Sequence, residues 1–320
     1  MLQFGVQVWD MGAPGSGNSP DTMITVTQKA EALGFDAIWI NDHVVTPDSY
    51  EKSYYPIGGA PWPLPVNADV FDPLVSLAAL ATHTERIVLG TSTLVVPIRG
   101  ALATAKSLVT IDHLSKGRLA LGFAPGWWVE EFEILDVPFK KRGKILNEYL
   151  DVFELACEGG VLSYDGEFLN FSGAGFFPGS YQKPAFPMIS CGTSQPALNR
   201  GARFDGLFRI ITPLEEVAPI VLEMRDKAIA AGNDPSRPKL YDFNPIVITD
   251  GTAQFEGVED LPLAGTVQFI LEQLNAYEDA GMHQIVSGFT ADPFGPMDEQ
   301  LANMERFAEE VMVPYRKSRA

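Results

Sequence analysis

Asn41-Asp42-His43 sets a carboxylate next to an imidazole at the end of an apolar run. Histidine changes charge near neutral pH, so this pair can carry a proton or hydrogen-bond the edge of a heterocycle. A histidine satisfied by the fold is the plain alternative. A second stretch, Cys191-Gly192-Thr193-Ser194, joins a glycine to two hydroxyls just before a helical segment beginning near Gln195. The positive end of that helix would face a phosphate there, although the same residues would also serve as a tight turn and an N-cap. Gly90-Thr91-Ser92-Thr93 closes another run with small residues that let a flat ring lie against the backbone. Pro125-Gly126-Trp127-Trp128 breaks a further run just ahead of Glu130 and Glu131. Two rings at a chain reversal either plug a core or wall a pocket. The two glutamates fall in the first turn of a helix, where negative charge is favoured, and are read as solvated dipole partners.

The elements that must position these residues alternate along the chain. Apolar strand-like runs cover 2–9, 35–42, 86–93, 118–123, 186–191, 205–210, 240–248 and 283–289. Helical patterns separate them at 19–34, 72–84, 101–115, after Gly126, 142–158, 195–204, 214–232, 263–281 and 297–317. Ser19-Pro20-Asp21 starts the first helix and Gly34 stops it, which illustrates the punctuation used throughout. Eight βα repeats imply a parallel sheet, and that number favours an α/β fold closed into a (β/α)8 TIM barrel over an open doubly wound sheet. No G-x-G-x-x-G and no P-loop occurs. The whole chain, 1–320, is expected to be one domain with two insertions. Residues 46–70, rich in Pro, Gly and aromatics, follow strand two and would form a lid at the barrel rim. Residues 159–185 precede strand five and would form an excursion outside the barrel.

In such a barrel, function collects at the C-terminal strand ends, where the motifs quoted above fall. Composition narrows the chemistry. Apolar residues make up 46% and charged residues 20% of the chain, within ordinary globular usage. Acids outnumber bases 41 to 23, a net charge of −18, which would repel phosphate backbones and anionic membranes. Nucleic-acid and membrane partners are therefore not expected. The N-terminus lacks a basic region followed by a long apolar stretch, and no segment reaches eighteen uninterrupted apolar residues, so a cytoplasmic location is expected. Cys157 and Cys191, the only two cysteines, read as core thiols rather than a disulfide. The four histidines show no H-E-x-x-H or acid-histidine spacing, so no catalytic metal is expected. A serine hydrolase is disfavoured by the missing G-x-S-x-G elbow.

Taken together, GFDAIWINDHV, DPLVSLAALATHTERIVLGTSTLVVP, LSKGRLALGFAPGWWVEEFEILDVPFKKRG and PMISCGTSQPALNRGARFDGLF resemble the bacterial luciferase-like flavin superfamily. They are most similar to its branch of oxidoreductases dependent on the deazaflavin coenzyme F420, and the resemblance runs in register from about residue 3 to about residue 210. It implies a TIM barrel holding a flavin-type ring at its C-terminal mouth. By position, Asp42 and His43 match the pair beside the ring. Ser92-Thr93 match a non-prolyl cis peptide bulging under the ring, with Thr91 just before it. Gly192, Thr193 and Ser194, following Cys191, match the phosphate-binding turn. Gly126 and Trp127 end strand four at the pocket, with Trp128 packed behind. Trp127 stands where the F420-dependent sugar-phosphate dehydrogenases carry glutamate, which argues against that activity. The implied enzyme uses reduced F420 for hydride transfer to a small organic substrate, with His43 handling the proton and Trp9, Trp62 and Trp127 shaping an apolar substrate site. The alternatives are an FMN-dependent monooxygenase served by a separate flavin or F420 reductase, and a flavin-binding protein without turnover. The resemblance also implies a homodimer.

Overall fold

Eight parallel strands close on themselves: β1 (Gln3–Gln7), β2 (Ala37–Ile40), β3 (Val88–Thr91), β4 (Leu119–Ala124), β5 (Met188–Cys191), β6 (Gly206–Ile210), β7 (Lys239–Phe243) and β8 (Gln284–Ser287). Each pairs with its successor, Gly5 opposite Ala37, Leu121 opposite Met188 and Tyr241 opposite Gln284. Gln3 opposite Gln284 shuts the ring between β1 and β8. The structure, a computed structural model, describes residues 1–8, 11–12, 17–53, 65–249, 261–289 and 297–319. Trp9 and Trp62, expected at the substrate site, lie outside the described residues.

The helices are α1 (Pro20–Leu33), α2 (Pro73–His83), α3 (Ala101–Leu114), α4 (Val129–Ile134), α5 (Arg142–Glu158), α6 (Gln195–Arg203), α7 (Leu214–Ala230), α8 (Val267–Asp279), α9 (Met297–Phe307) and α10 (Val313–Arg319). Their starts follow from local chemistry. The Ser19 hydroxyl accepts from Thr22 N, the Asp72 carboxylate accepts from Leu74 N and Val75 N, and proline fills the first position of both helices, where a missing N–H costs nothing.

Alternate residues on each strand divide between two cores. Outward-facing Ile38, Ile40, Leu89, Leu121 and Phe123 pack under the helices. Inward-facing Ala37, Trp39, Ala120, Ile189, Phe208 and Val286 fill the lower barrel. Trp39 is the largest of these, and glycine makes room for it. A Cβ on Gly90 would fall 2.4 Å from Trp39 Cε3, and one on Gly5 would fall 3.0 Å from its Nε1. That indole N–H donates to Gln284 Oε1 at 2.7 Å, so the polar atom buried with the ring is satisfied.

The expected insertions are seen after strand two and before strand five. Gly160–Asp165 and Asn170–Phe176 form an antiparallel hairpin outside the barrel sheet. Of residues 46–70, positions 54–64 lie outside the described residues, and Asp69–Val70 pairs with Met11–Gly12.

One expected boundary is corrected. Residues 240–248 do not make a single strand, nor does a helix begin at 263. Asn244 N still donates to Val286 O at 2.8 Å, but Pro245 has no N–H to carry the ladder further, so β7 ends at Phe243. Ile246–Ile248 then pairs with Leu263–Gly265, and the following helix starts only after Thr266, whose hydroxyl accepts from Phe269 N.

Candidate active site

The upper barrel changes character from apolar to polar. Gln7, inward-facing at the end of β1, donates through Nε2 to Trp39 O at 3.0 Å and Asn41 Oδ1 at 3.1 Å, while its Oε1 accepts from Ser92 Oγ at 2.7 Å. Three strand ends are thus tied by one amide. The Ser92–Thr93 peptide is cis, as the resemblance implied. The hydroxyls of this step are used differently. Thr91 donates to Gly122 O at 2.7 Å on the next strand and serves the barrel wall. Thr93 Oγ1 is buried with no hydrogen-bond partner among the described residues, and the polar group beside it is the weakly donating Cys191 thiol. Burial pushes that thiol up to about 12, so Cys191 is present as the neutral thiol rather than a nucleophile.

Asp42 and His43 are adjacent in sequence but do not pair with each other. The Asp42 carboxylate accepts from Val95 N at 2.9 Å and from Arg99 Nε and Nη2 at 3.1 and 2.6 Å. Arg99 also reaches Asp72 Oδ2 at 2.8 Å. Burial works against the guanidinium charge, yet Asp42 and Asp72 hold it above the ordinary arginine range. Asp42, expected beside the ring, is therefore committed to fixing the segment that follows the cis step.

The acid that meets His43 is Glu131, 88 residues away. Its Oε2 lies 2.9 Å from His43 Nδ1, and its Oε1 accepts from Val44 N at 2.8 Å and Val45 N at 3.4 Å. The side chain of Glu131 is fully buried. Glu130, at the same turn, accepts from Lys52 N at 2.7 Å and from the Ser53 hydroxyl, which in turn accepts from Val129 N at 2.7 Å. Burial opposes the Glu130 charge, but these donors outweigh it and hold the carboxyl below its usual range. The expectation that both glutamates are solvated is thus overturned. They are buried and clamp residues 43–53 onto the start of α4. No sequence pattern marks this, because a first-turn glutamate and its distant partners carry no spacing rule.

Trp127 and Trp128 stack at 5.1 Å with their planes 11° apart, and both present edges to the His43 ring, at 6.0 and 5.2 Å. Trp128 is fully buried and Trp127 is half-buried, so Trp128 does pack behind its neighbour. Gly126 makes this reversal possible at φ +88°, where a Cβ would meet Phe132 Cε2 and Val95 Cγ1 at 2.7 Å.

At β5, Gly192 turns with φ +127° and its N–H returns to Phe208 O at 3.0 Å. Ser194 caps α6 through Ala197 N at 3.4 Å, and residues 192–196 are exposed. In this first turn Pro196 has no N–H and Ala197 N is taken by Ser194, so Gln195 N and the positive end of the dipole are what α6 offers an anion. An exposed anion cradle at one strand end and an orphaned hydroxyl at the cis step suit a phosphate-bearing, ring-shaped cofactor. Among the described residues, no group of three or more His, Cys, Asp or Glu could hold a metal ion. No helix there is long and apolar enough to cross a membrane.

The closed eight-stranded parallel barrel with its polar mouth defines an α/β-barrel protein, and the family match makes it an enzyme of the luciferase-like class. The chain belongs to the luciferase-like monooxygenase family, whose profile matches residues 1–256. Among solved structures it is similar to the monooxygenase RslO1 of Streptomyces bottropensis, with a TM-score of 0.79 and 20% identity over 98% of this chain and 100% of that one. The F420-dependent tetrahydromethanopterin reductase of Methanopyrus kandleri superposes with a TM-score of 0.77 at 17% identity, covering 98% and 99% of the two chains. The oxygenating constituent of 3,6-diketocamphane monooxygenase of Pseudomonas putida, in complex with FMN, gives 0.73 at 14% identity, covering 97% and 98%.

Proposed function

We propose that this chain is an oxidoreductase working with reduced coenzyme F420 on a small organic substrate. The observation that carries the reading is the His43–Glu131 pair at 2.9 Å under an aromatic wall at the barrel mouth. Interconverting a carbonyl and an alcohol needs a proton at oxygen as well as a hydride at carbon, and a buried, oriented imidazole supplies the first. The bound deazaflavin would supply the second. Thr193, Ser194 and the Gln195 N–H would hold its phosphate, Gly126 and Ser92-Thr93 would border the ring, and Thr93 Oγ1 would find the partner it lacks within the protein. Trp127 would face the substrate and exclude water from the reacting atoms.

The second reading is an FMN-dependent monooxygenase supplied by a separate reductase. It is favoured by the family's monooxygenase members and by the fold shared with the FMN-bound camphane enzyme. In either reading the chain acts as a cytoplasmic homodimer. Titrating the purified protein with F420 and with FMN, then reducing each complex and exposing it to oxygen, tests these readings. Tight F420 binding with slow reoxidation in air supports hydride transfer. Tight FMN binding with rapid oxygen consumption supports monooxygenation. Binding of neither removes both.

A further inference from the structure

We infer that Glu131 is the positioning residue that fixes the tautomer of His43, making Nε2 the nitrogen that exchanges a proton with substrate. This rests on the reading of His43 as the proton-handling group. Glu131 Oε1 already takes backbone N–H groups from Val44 and Val45, so the carboxylate is turned with Oε2 toward Nδ1. A carboxylate has only lone pairs to offer, so the hydrogen between Oε2 and Nδ1 belongs to the imidazole. In the neutral ring the lone pair is then on Nε2. When Nε2 takes a proton from a substrate hydroxyl, the positive charge forms beside a buried carboxylate and no second proton needs to move. The return transfer leaves the same tautomer.

Among the described residues, the other charged groups near the ring have partners of their own. Asp42, the sequence neighbour, is held by Val95 N and Arg99, and Arg99 by Asp42 and Asp72. On α4, Glu130 takes Lys52 N and Ser53, and Glu133 takes Lys52 Nζ at 2.7 Å. Glu131, in direct contact with Nδ1 at 2.9 Å, is the group we assign to setting which nitrogen carries hydrogen. The two backbone donors also predict what its amide would do. In Glu131→Gln the carbonyl oxygen keeps Val44 N, and the NH2 group is turned to Nδ1. That nitrogen must then accept, which moves the ring hydrogen to Nε2.

The test is nitrogen NMR on the full-length protein with 15N-labelled histidine, the His43 signals being identified by their loss in His43→Gln. The expected result for the neutral ring is a protonated Nδ1 and a bare Nε2 in the wild type, exchanged in Glu131→Gln. A wild-type spectrum with the hydrogen on Nε2 overturns the inference without any variant, and so does a Glu131→Gln protein that folds and keeps the wild-type pattern. Turnover gives a second readout. With F420 and an accepted substrate, Glu131→Gln is expected to lose at least about tenfold in kcat, with KM and F420 affinity within about twofold. Unchanged kcat despite an exchanged tautomer also overturns the role. If the tautomers exchange as expected but neither coenzyme supports turnover in the wild type, the proposed function fails while the pairing stands.

Discussion

His43 lies where a proton is useful, with two tryptophan edges on one side and one buried acid on the other. If it acts as the general acid or base, His43→Ala should lower kcat by about two to four orders of magnitude while leaving coenzyme affinity within a few-fold. Steady-state turnover together with a binding titration of the same variant checks both halves. Equal loss in affinity and rate would instead mean that the ring holds the coenzyme. The position of His43 at a strand end was legible in the sequence, but the acid that meets it was not. Asp42, one residue away, is the natural partner in the sequence, yet both residues lie beyond the end of β2 and Asp42 is held by Val95 N and Arg99 instead. Glu131 comes from another βα unit, and only closure of the barrel brings it to Nδ1.

At the scale of elements, the segment from Ser92 to Arg99 is anchored at its far end by Arg99, which makes two ion pairs. Arg99 ties Asp42 on the β2 loop to Asp72 at the cap of α2 and so fixes the stretch following the cis step. Arg99→Met should cost about 3–5 kcal/mol, because it strands the Asp42 carboxylate in a buried site with one backbone donor left. Urea unfolding checks this, with the midpoint expected to fall and the slope to stay constant. A loss below about 1 kcal/mol would mean that the pair is worth no more than a surface bridge. The βα rhythm, the helix caps at Ser19, Asp72 and Ser194, and the excursion before β5 were all readable, since each rests on a local pattern. The split of residues 240–248 was hidden by apolar and aromatic residues on both sides of Asn244-Pro245. Pro245 was the available signal, because a proline within a run removes a ladder donor. The short partner strand at 263–265 gave no sign of its own, since three residues before a helix share the helix's composition.

For the whole molecule, the lower end of the barrel carries a pH-sensitive histidine. At the lower end, burial and the nearby Lys239 and N-terminal charges push His283 down to about 4 from its ordinary 6.5. The folded state therefore keeps this ring neutral where the unfolded chain already binds a proton. Its contribution is intact above about pH 6.5 and is lost as pH falls toward 4, by on the order of 2 kcal/mol. Comparing unfolding free energies of wild type and His283→Gln across that window should show the wild type alone losing this increment, and parallel curves would contradict it. At the upper end, the proposed function puts the coenzyme's phosphate at the first turn of α6, in a chain whose net charge is −18. The measurement that reaches this most directly is anaerobic titration of F420, followed by its absorbance, against wild type and Thr193→Asp. Thr193 is exposed, so the new carboxylate perturbs the anion site rather than the core. The predicted result is one saturable site in the wild type, weakened about tenfold or more in the variant by like-charge repulsion. Saturation of both proteins with the same affinity would place the phosphate elsewhere and contradict the account.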